Sequence, residues 1–277
     1  MLKMKSSLLA LAALGLSLVA VQAHAHKPWL LPSSTVVEGK EPWVTVDAAI
    51  SEGLFDIDHQ PLKLDGIVIT APDGSTAAME NIGNGKLRNT FDVKLAKPGT
   101  YRIALVSQGV MGSYKDKAGE LKRFRSTEAT LAQDVPAGAT EVKLTRSHSR
   151  LETYVSAGAP DMAVFKPSGS GLELVPVTHP NDLRSGEKAT WRFLLDGKPA
   201  ANQGVSLIPG GVRYRGTLGE IRKTTDANGE VSFELPAAGM YLLSTSWPAV
   251  AAAAPGQPPA MPARRASFAA TLEILPQ

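Results

Sequence analysis

The chain has 277 residues, no cysteine and a formal charge of +3, with 29 Lys and Arg against 26 Asp and Glu. That length accommodates two domains of ordinary size and a core able to hold them without disulfides. The lack of cysteine excludes a disulfide scaffold, a thiolate metal site, a thiol nucleophile and a lipoprotein anchor. The lack of a dense Lys/Arg tract gives no support to nucleic-acid binding.

The chain opens MLKMKSSLLALAALGLSLVAVQAHA. Lys3 and Lys5 form a positive n-region, and Leu8 to Val21 form an apolar stretch short for a membrane span, with no second one following. Residues 1–25 therefore read as a cleaved secretory signal peptide, and the mature chain as lacking a membrane span. Losing the two lysines lowers the net charge from +3 to +1. An exported chain without cysteine fits a bacterial periplasm.

Beyond the signal, helical periodicity gives way to short stretches rich in Val, Ile, Leu and Thr. Trp43–Ala48, Leu62–Thr70, Thr100–Ser107 and Glu152–Ser156 read as strands, and APDGS, IGNGK and AKPGT between them as turns. Trp29, Trp43, Trp191 and Trp247 sit inside strand patterns and are expected in the core. Tyr114–Lys117 and the following GELKRFR read as a charged, solvated loop between strands.

A Gly/Pro/Ser-rich break near residues 157–171 precedes a second β-pattern. TTDANGEVSFEL gives a DANG turn and a strand with Val231, Phe233 and Leu235 on one face, and Ser267–Ile274 closes the pattern. Ala249–Ala263, rich in Pro and Ala, reads as a loop. The expected fold is all-β, with two β-sandwich (Ig-like) domains in tandem after the signal peptide. Their expected extents are residues 26–160, a linker at 161–171, and residues 172–277.

Histidine is scarce, five in the chain, and two of them lie at the processing site in AHAHKPWLLP. Cleavage after Ala25 would make His26 the first residue, offering its α-amine and imidazole to one metal ion. A second histidine would complete a three-nitrogen brace, a donor set that suits Cu(II) and Ni(II). Cleavage after Ala23 would instead start the chain at His24-Ala25-His26. The amine, two backbone amides and an imidazole could then form a square plane for the same metals.

His59, in FDIDHQP, is the expected third nitrogen, with the flanking Asp56 and Asp58 as a further ligand or as a brace for the imidazole. His148 is the second choice, although Arg150 nearby would oppose a metal, and it otherwise reads as a surface histidine. His179, before Pro180, reads as a domain-junction or turn residue. No G-x-S-x-G and no phosphate-binding glycine loop is present, so hydrolase and nucleotide chemistry find no support.

The segments HKPWLLPS, DHQPLKLDGIVITAPDGS, SRLETYVSAGAP and GKPAANQGV…TTDANGEVSFELPAAGMYLL together resemble the exported NikM-like family. That family is a domain of unknown function whose members are labelled as nickel- or cobalt-uptake associated. The resemblance implies an all-β periplasmic protein linked to metal uptake and a membrane transporter or receptor as partner.

The expected function is thus a periplasmic, non-enzymatic accessory protein that binds Ni, Co or Cu through its mature N-terminal histidine. The alternatives are a protein- or glycan-interaction module without metal and, less favoured, a copper histidine-brace oxidase. The last would need an aromatic binding face that the sequence does not show.

Overall fold

The computed structural model describes residues 26–248 and 262–277. The expected signal peptide, with His24, and most of the segment expected to be a Pro/Ala-rich loop lie outside the described residues. Among those described, no helix is long and apolar enough to cross a membrane.

The N-terminal half contributes β1 (Lys27–Pro32), β2 (Val36–Val37), β3 (Trp43–Ser51), β4 (Gln60–Pro61), β5 (Ile67–Thr70), β6 (Thr76–Ala77) and β7 (Glu80–Asn84). It continues through β8 (Asn89–Lys94), β9 (Gly99–Lys115), β10 (Leu121–Ser126), a one-turn helix α1 (Leu131–Asp134) and β11 (Thr140–Ala157). The remainder supplies β12 (Leu172–Pro176), β13 (Lys188–Leu195), β14 (Lys198–Pro199), β15 (Gly204–Pro209), a one-turn helix α2 (Val212–Arg215) and β16 (Ile221–Thr224). It ends with β17 (Glu230–Glu234), β18 (Gly239–Trp247) and β19 (Arg264–Ile274).

These strands form three sheets. The largest runs β16-β15-β18-β19-β11-β9-β5-β6, with β10 added to β9 and β2 to β11. A five-stranded sheet, β1-β3-β8-β7 with β4 on β3, packs on its N-terminal part. A four-stranded sheet of β12, β13, β14 and β17 packs on its C-terminal part. The fold is therefore all-β, built of two sandwiches, and the two share the large sheet.

Strand alternation explains this arrangement. In β13, Ala189, Trp191 and Phe193 are buried while Lys188, Thr190 and Arg192 point outward, the period-2 pattern of a sheet with one wet face. Val231 and Phe233 of β17 join them against Leu207, Leu243, Phe268 and Leu272. The DANG turn forms as expected: Asp226 Oδ1 accepts from the N–H groups of Asn228 and Glu230. Gly229 sits at φ +76°, and a Cβ there would strike the Phe193 carbonyl.

In β11 the rule changes, because Arg150–Ala157 is buried on both faces. Leu151, Val155 and Ala157 enter the N-terminal core with Leu30, Val46, Phe91 and Ile103. Tyr154 enters the C-terminal core with Phe165, Leu172 and Trp191. Its neighbours in the sheet are β9, antiparallel, and β19, parallel from Arg146↔Arg264 to Thr153↔Thr271.

Buried charge accompanies that strand. Arg150 reaches Glu152 at 3.1 Å and Glu173 at 3.3 Å, and all three are under one-tenth exposed. The Tyr154 hydroxyl donates to Glu152, and burial, with that carboxylate, holds the phenol well above its ordinary pKa.

Several expectations are corrected. Trp43 is 41% exposed and Trp247 only partly buried, because each stands at a strand end. The expected Leu62–Thr70 strand is interrupted, since only Ile67–Thr70 pairs after a turn closed by Ile67 N–H to Leu64 O. The charged stretch after Tyr114 is a β9–β10 hairpin rather than a loop, with Asp116 holding its turn by accepting from Ala118 and Glu120 N–H. Residues 161–171 place Val164 and Phe165 in the C-terminal core.

Replacing Arg150 by Met should strand two buried carboxylates and lower stability by about 3–5 kcal/mol. Chemical denaturation would show this as a lower midpoint at unchanged slope.

Candidate functional site

Pairing of β3 with its two neighbours brings the start of the described chain to the loop that carries His59. β1 pairs with β3 from Lys27↔Ser51, so His26 emerges beside Glu52. On its other edge β3 pairs with β4, Ala49↔Pro61 and Ile50↔Gln60, which sets His59 at the same end. The two imidazoles stack with centroids 3.8 Å apart and planes 20° from parallel. Glu52 Oε1 lies 3.3 Å from His26 Nε2. A carboxylate there can only accept, so it favours the tautomer with the proton on Nε2 and the lone pair on Nδ1.

The loop between β3 and β4 is shaped by its own side chains. Ser51 Oγ accepts from Trp29 Nε1 at 2.8 Å and donates to Gly53 O at 2.6 Å. Asp58 spends both carboxylate oxygens on the loop, accepting from Glu52 N–H at 3.1 Å and Gly53 N–H at 3.0 Å. A Cβ on Gly53 would collide with the Asp56 carboxylate. Leu54 is buried, and Phe55, at φ +65°, sets its ring edge-on to Trp29 at 5.7 Å.

Trp29 and Leu54 rest in turn on Ile208 and Leu242 of β15 and β18. Ile208 and Leu242 alternate with Leu207 and Leu243, which face the other core. The C-terminal half thus supports a loop that belongs to the N-terminal half.

Of the expected site residues, His26 and His59 are brought together. Asp58 holds the loop with both carboxylate oxygens and forms no ligand group with the pair among the described residues. His148 is neither at the surface nor beside the pair. It lies in β11 opposite Gln108 and Ala266, 9% exposed, with its ring against Gly171. Burial lowers its pKa, and Arg150 and Arg264 lower it further. Its Nε2 is buried without a hydrogen-bond partner among the described residues.

His179 uses both ring nitrogens internally, Nδ1 accepting from Asn181 N–H and Nε2 lying 2.9 Å from the Asp161 carbonyl. It is a junction residue, as expected. Among the described residues, no three His, Asp or Glu side chains are grouped to enclose a metal ion by themselves.

Glu52 was missed in the sequence. Its signal was indirect: it follows the last residue of β3, and only the β1–β3 register sets it beside His26.

The architecture and the histidine pair define an all-β, double-sandwich protein with a polar, histidine-bearing sheet end. The chain belongs to the family described as a domain of unknown function (DUF4198), whose profile matches residues 23–249. No curated protein matches it. Among solved structures it is similar to the D0-D1 domain of Intimin, at 12% identity over 89% of this chain and 97% of that one, with a TM-score of 0.21. It is also similar to a tetra-tandem repeat from the extending region of a large adhesion protein, at 11% identity over 90% and 75%, with a TM-score of 0.22.

Two predictions follow from this geometry. Asp58→Ala should raise amide exchange at Glu52 and Gly53 roughly fivefold to tenfold, reflecting about 1 kcal/mol of lost hydrogen bonding.

The pH behaviour follows from His148 and His179, whose folded pKa values both lie below the ordinary 6.5, chiefly through burial. The unfolded chain therefore takes up protons first, and stability is lost as pH falls from about 7 towards 5. His148→Gln should flatten that slope in denaturation curves recorded across the range.

Proposed function

We propose that this protein is an exported, periplasmic accessory protein that binds a transition-metal ion, Cu(II) or Ni(II), through His26 and His59. The observation that carries the reading is the stacked His26–His59 pair at the end of β1, β3 and β4. Side chains alone give no three-ligand group among the described residues. Signal-peptide cleavage after Ala25 would add the missing donor, the α-amine of His26. That amine and Nδ1 belong to one residue and can chelate one ion, and Glu52 favours an Nδ1 that is free to do so.

Binding requires the two rings to turn out of their stack, and both side chains are exposed, so no neighbouring core must move. An amine–imidazole–imidazole set suits Cu(II) and Ni(II), and intrinsic affinity ranks copper above nickel and cobalt. The resemblance to proteins associated with nickel or cobalt uptake supports a carrier role with a membrane transporter or receptor as partner. The reading assigns no catalysis.

The test is intact-mass analysis of the exported protein under native and denaturing conditions, with titration of Cu(II) and Ni(II). The expected mature chain starts at His26 and carries one ion. His59→Ala should weaken Cu(II) binding more than about tenfold, or about 1.4 kcal/mol. An added residue before His26 should weaken it as strongly. Because the amine, with an ordinary pKa of about 7.7–8.0, must lose a proton to bind, affinity should fall by up to about tenfold per pH unit below 7. Unchanged affinity in the chain with a blocked amine would overturn the reading.

A further inference from the structure

Beyond the histidine pair, we infer that the β9–β10–β11 ribbon binds an acidic, carboxylate-bearing polysaccharide across one face. The inference is independent of metal binding. β9 and β11 run past the body of the sandwiches and, with β10, form a three-stranded ribbon. In an antiparallel ladder, directly opposed residues share a face. The pairs Arg123↔Ser113↔Lys143 and Arg125↔Met111↔Thr145 therefore stand on one face, in adjacent rows. Arg123, Arg125 and Lys143 are exposed and have no carboxylate partner among the described residues.

The ribbon's carboxylates are mostly engaged elsewhere. Glu141 pairs with Lys115, Asp116 and Glu120 with Lys122, and Glu128 with Arg146. Lys122 and Arg146 stand in the opposite-face rows, Lys122↔Tyr114 and Arg146↔Val110. The three cations, exposed and without carboxylate partners among the described residues, thus lie on one face, which is covered on its β11 side where buried Thr145 donates to the Pro262 carbonyl.

At the foot of the same face is a cleft of about 190 Å³, lined by Ser107, Gly109, Met111, Arg125, Ser126 and Ser147 among others. Ser126 donates to Thr127 O and Ser147 to Gly109 O, so their oxygens can accept from sugar hydroxyls, while a guanidinium holds a carboxylate with two parallel N–H donors. With strands about 4.8 Å apart and about 6.8 Å between alternate residues, the cations are spaced roughly 7–12 Å from one another. That is the scale of a linear polymer with charge repeated along it. A row of hydroxyls beside separated cations favours a sugar polyanion over a lipid surface, which would require an apolar face to insert.

The experiment uses the mature full-length protein, fluorescently labelled polygalacturonate, uncharged dextran, and vesicles of phosphatidylcholine with phosphatidylglycerol. The expected result is binding to polygalacturonate at low salt, weakened more than about tenfold on raising NaCl to several hundred millimolar. The variant Arg123→Ser/Arg125→Ser/Lys143→Ser should lose at least tenfold in affinity with its melting temperature unchanged. The charge-matched variant Lys40→Ser/Lys188→Ser/Lys198→Ser, on exposed lysines elsewhere, should bind as the parent does.

Equal losses in both triple variants would reduce the effect to net charge and overturn the site. So would binding to dextran as strong as to polygalacturonate, binding to vesicles but not to polygalacturonate, or no binding at low salt. If the ribbon variant melts early, Arg125→Lys at preserved stability replaces it, with a loss expected because ammonium cannot make the paired contact.

Discussion

The pairing of β11 with β19 is the constraint on which the structure depends. A parallel pair needs no hairpin and can join segments distant in sequence, and Thr153 meets Thr271 across 118 residues. It places β11 in the middle of a sheet that is covered on both sides. Each alternate residue of Arg150–Ala157 then serves a different core, Leu151 and Val155 one, Tyr154 the other. Strands covered on both faces ordinarily read as unbroken apolar runs. This one instead carries Arg150 and Glu152 inside, paired with each other, with Glu173 and with Tyr154, while Arg150 Nε is left without a partner among the described residues.

The same shared sheet supports the histidine pair. Leu207 and Leu243 pack into the C-terminal core, while their neighbours Ile208 and Leu242 turn the other way and carry Trp29 and Leu54. Trp29 fixes Ser51, Ser51 fixes Gly53, and Asp58 closes the loop that presents Glu52 and His59. The polar end is thus packed at its base and exposed at its tip, where His26, Glu52 and His59 face solvent.

The strands and turns were legible because period-2 alternation and Gly/Asp turn chemistry are local properties. The DANG turn and β17 follow from them directly. The stacking of His26 on His59 was partly legible, because histidine is scarce and the residues crowd near the chain start. Glu52 was not, since its place beside His26 depends on strand register rather than on spacing. His148 was misread as a surface residue for the same reason. Polar neighbours in SHSRLE suggest exposure, but the parallel partner β19 and the segment around Gly171 bury it. Long-range pairing of this kind leaves little local mark.

The parallel strand has a consequence for how the chain reaches its final form. The eight-residue pairing of β11 with β19 is available only once residues 264–271 have been made. Until then β11 lacks one neighbour along Arg146–Thr153, and its buried Arg150 and Glu152 lack the surroundings that hold them. Pairings so distant in sequence form slowly. A nascent chain would accordingly complete the shared sheet only after residues 264–271 emerge. For the exported protein proposed above, that delay would keep the chain open while it is threaded across a membrane.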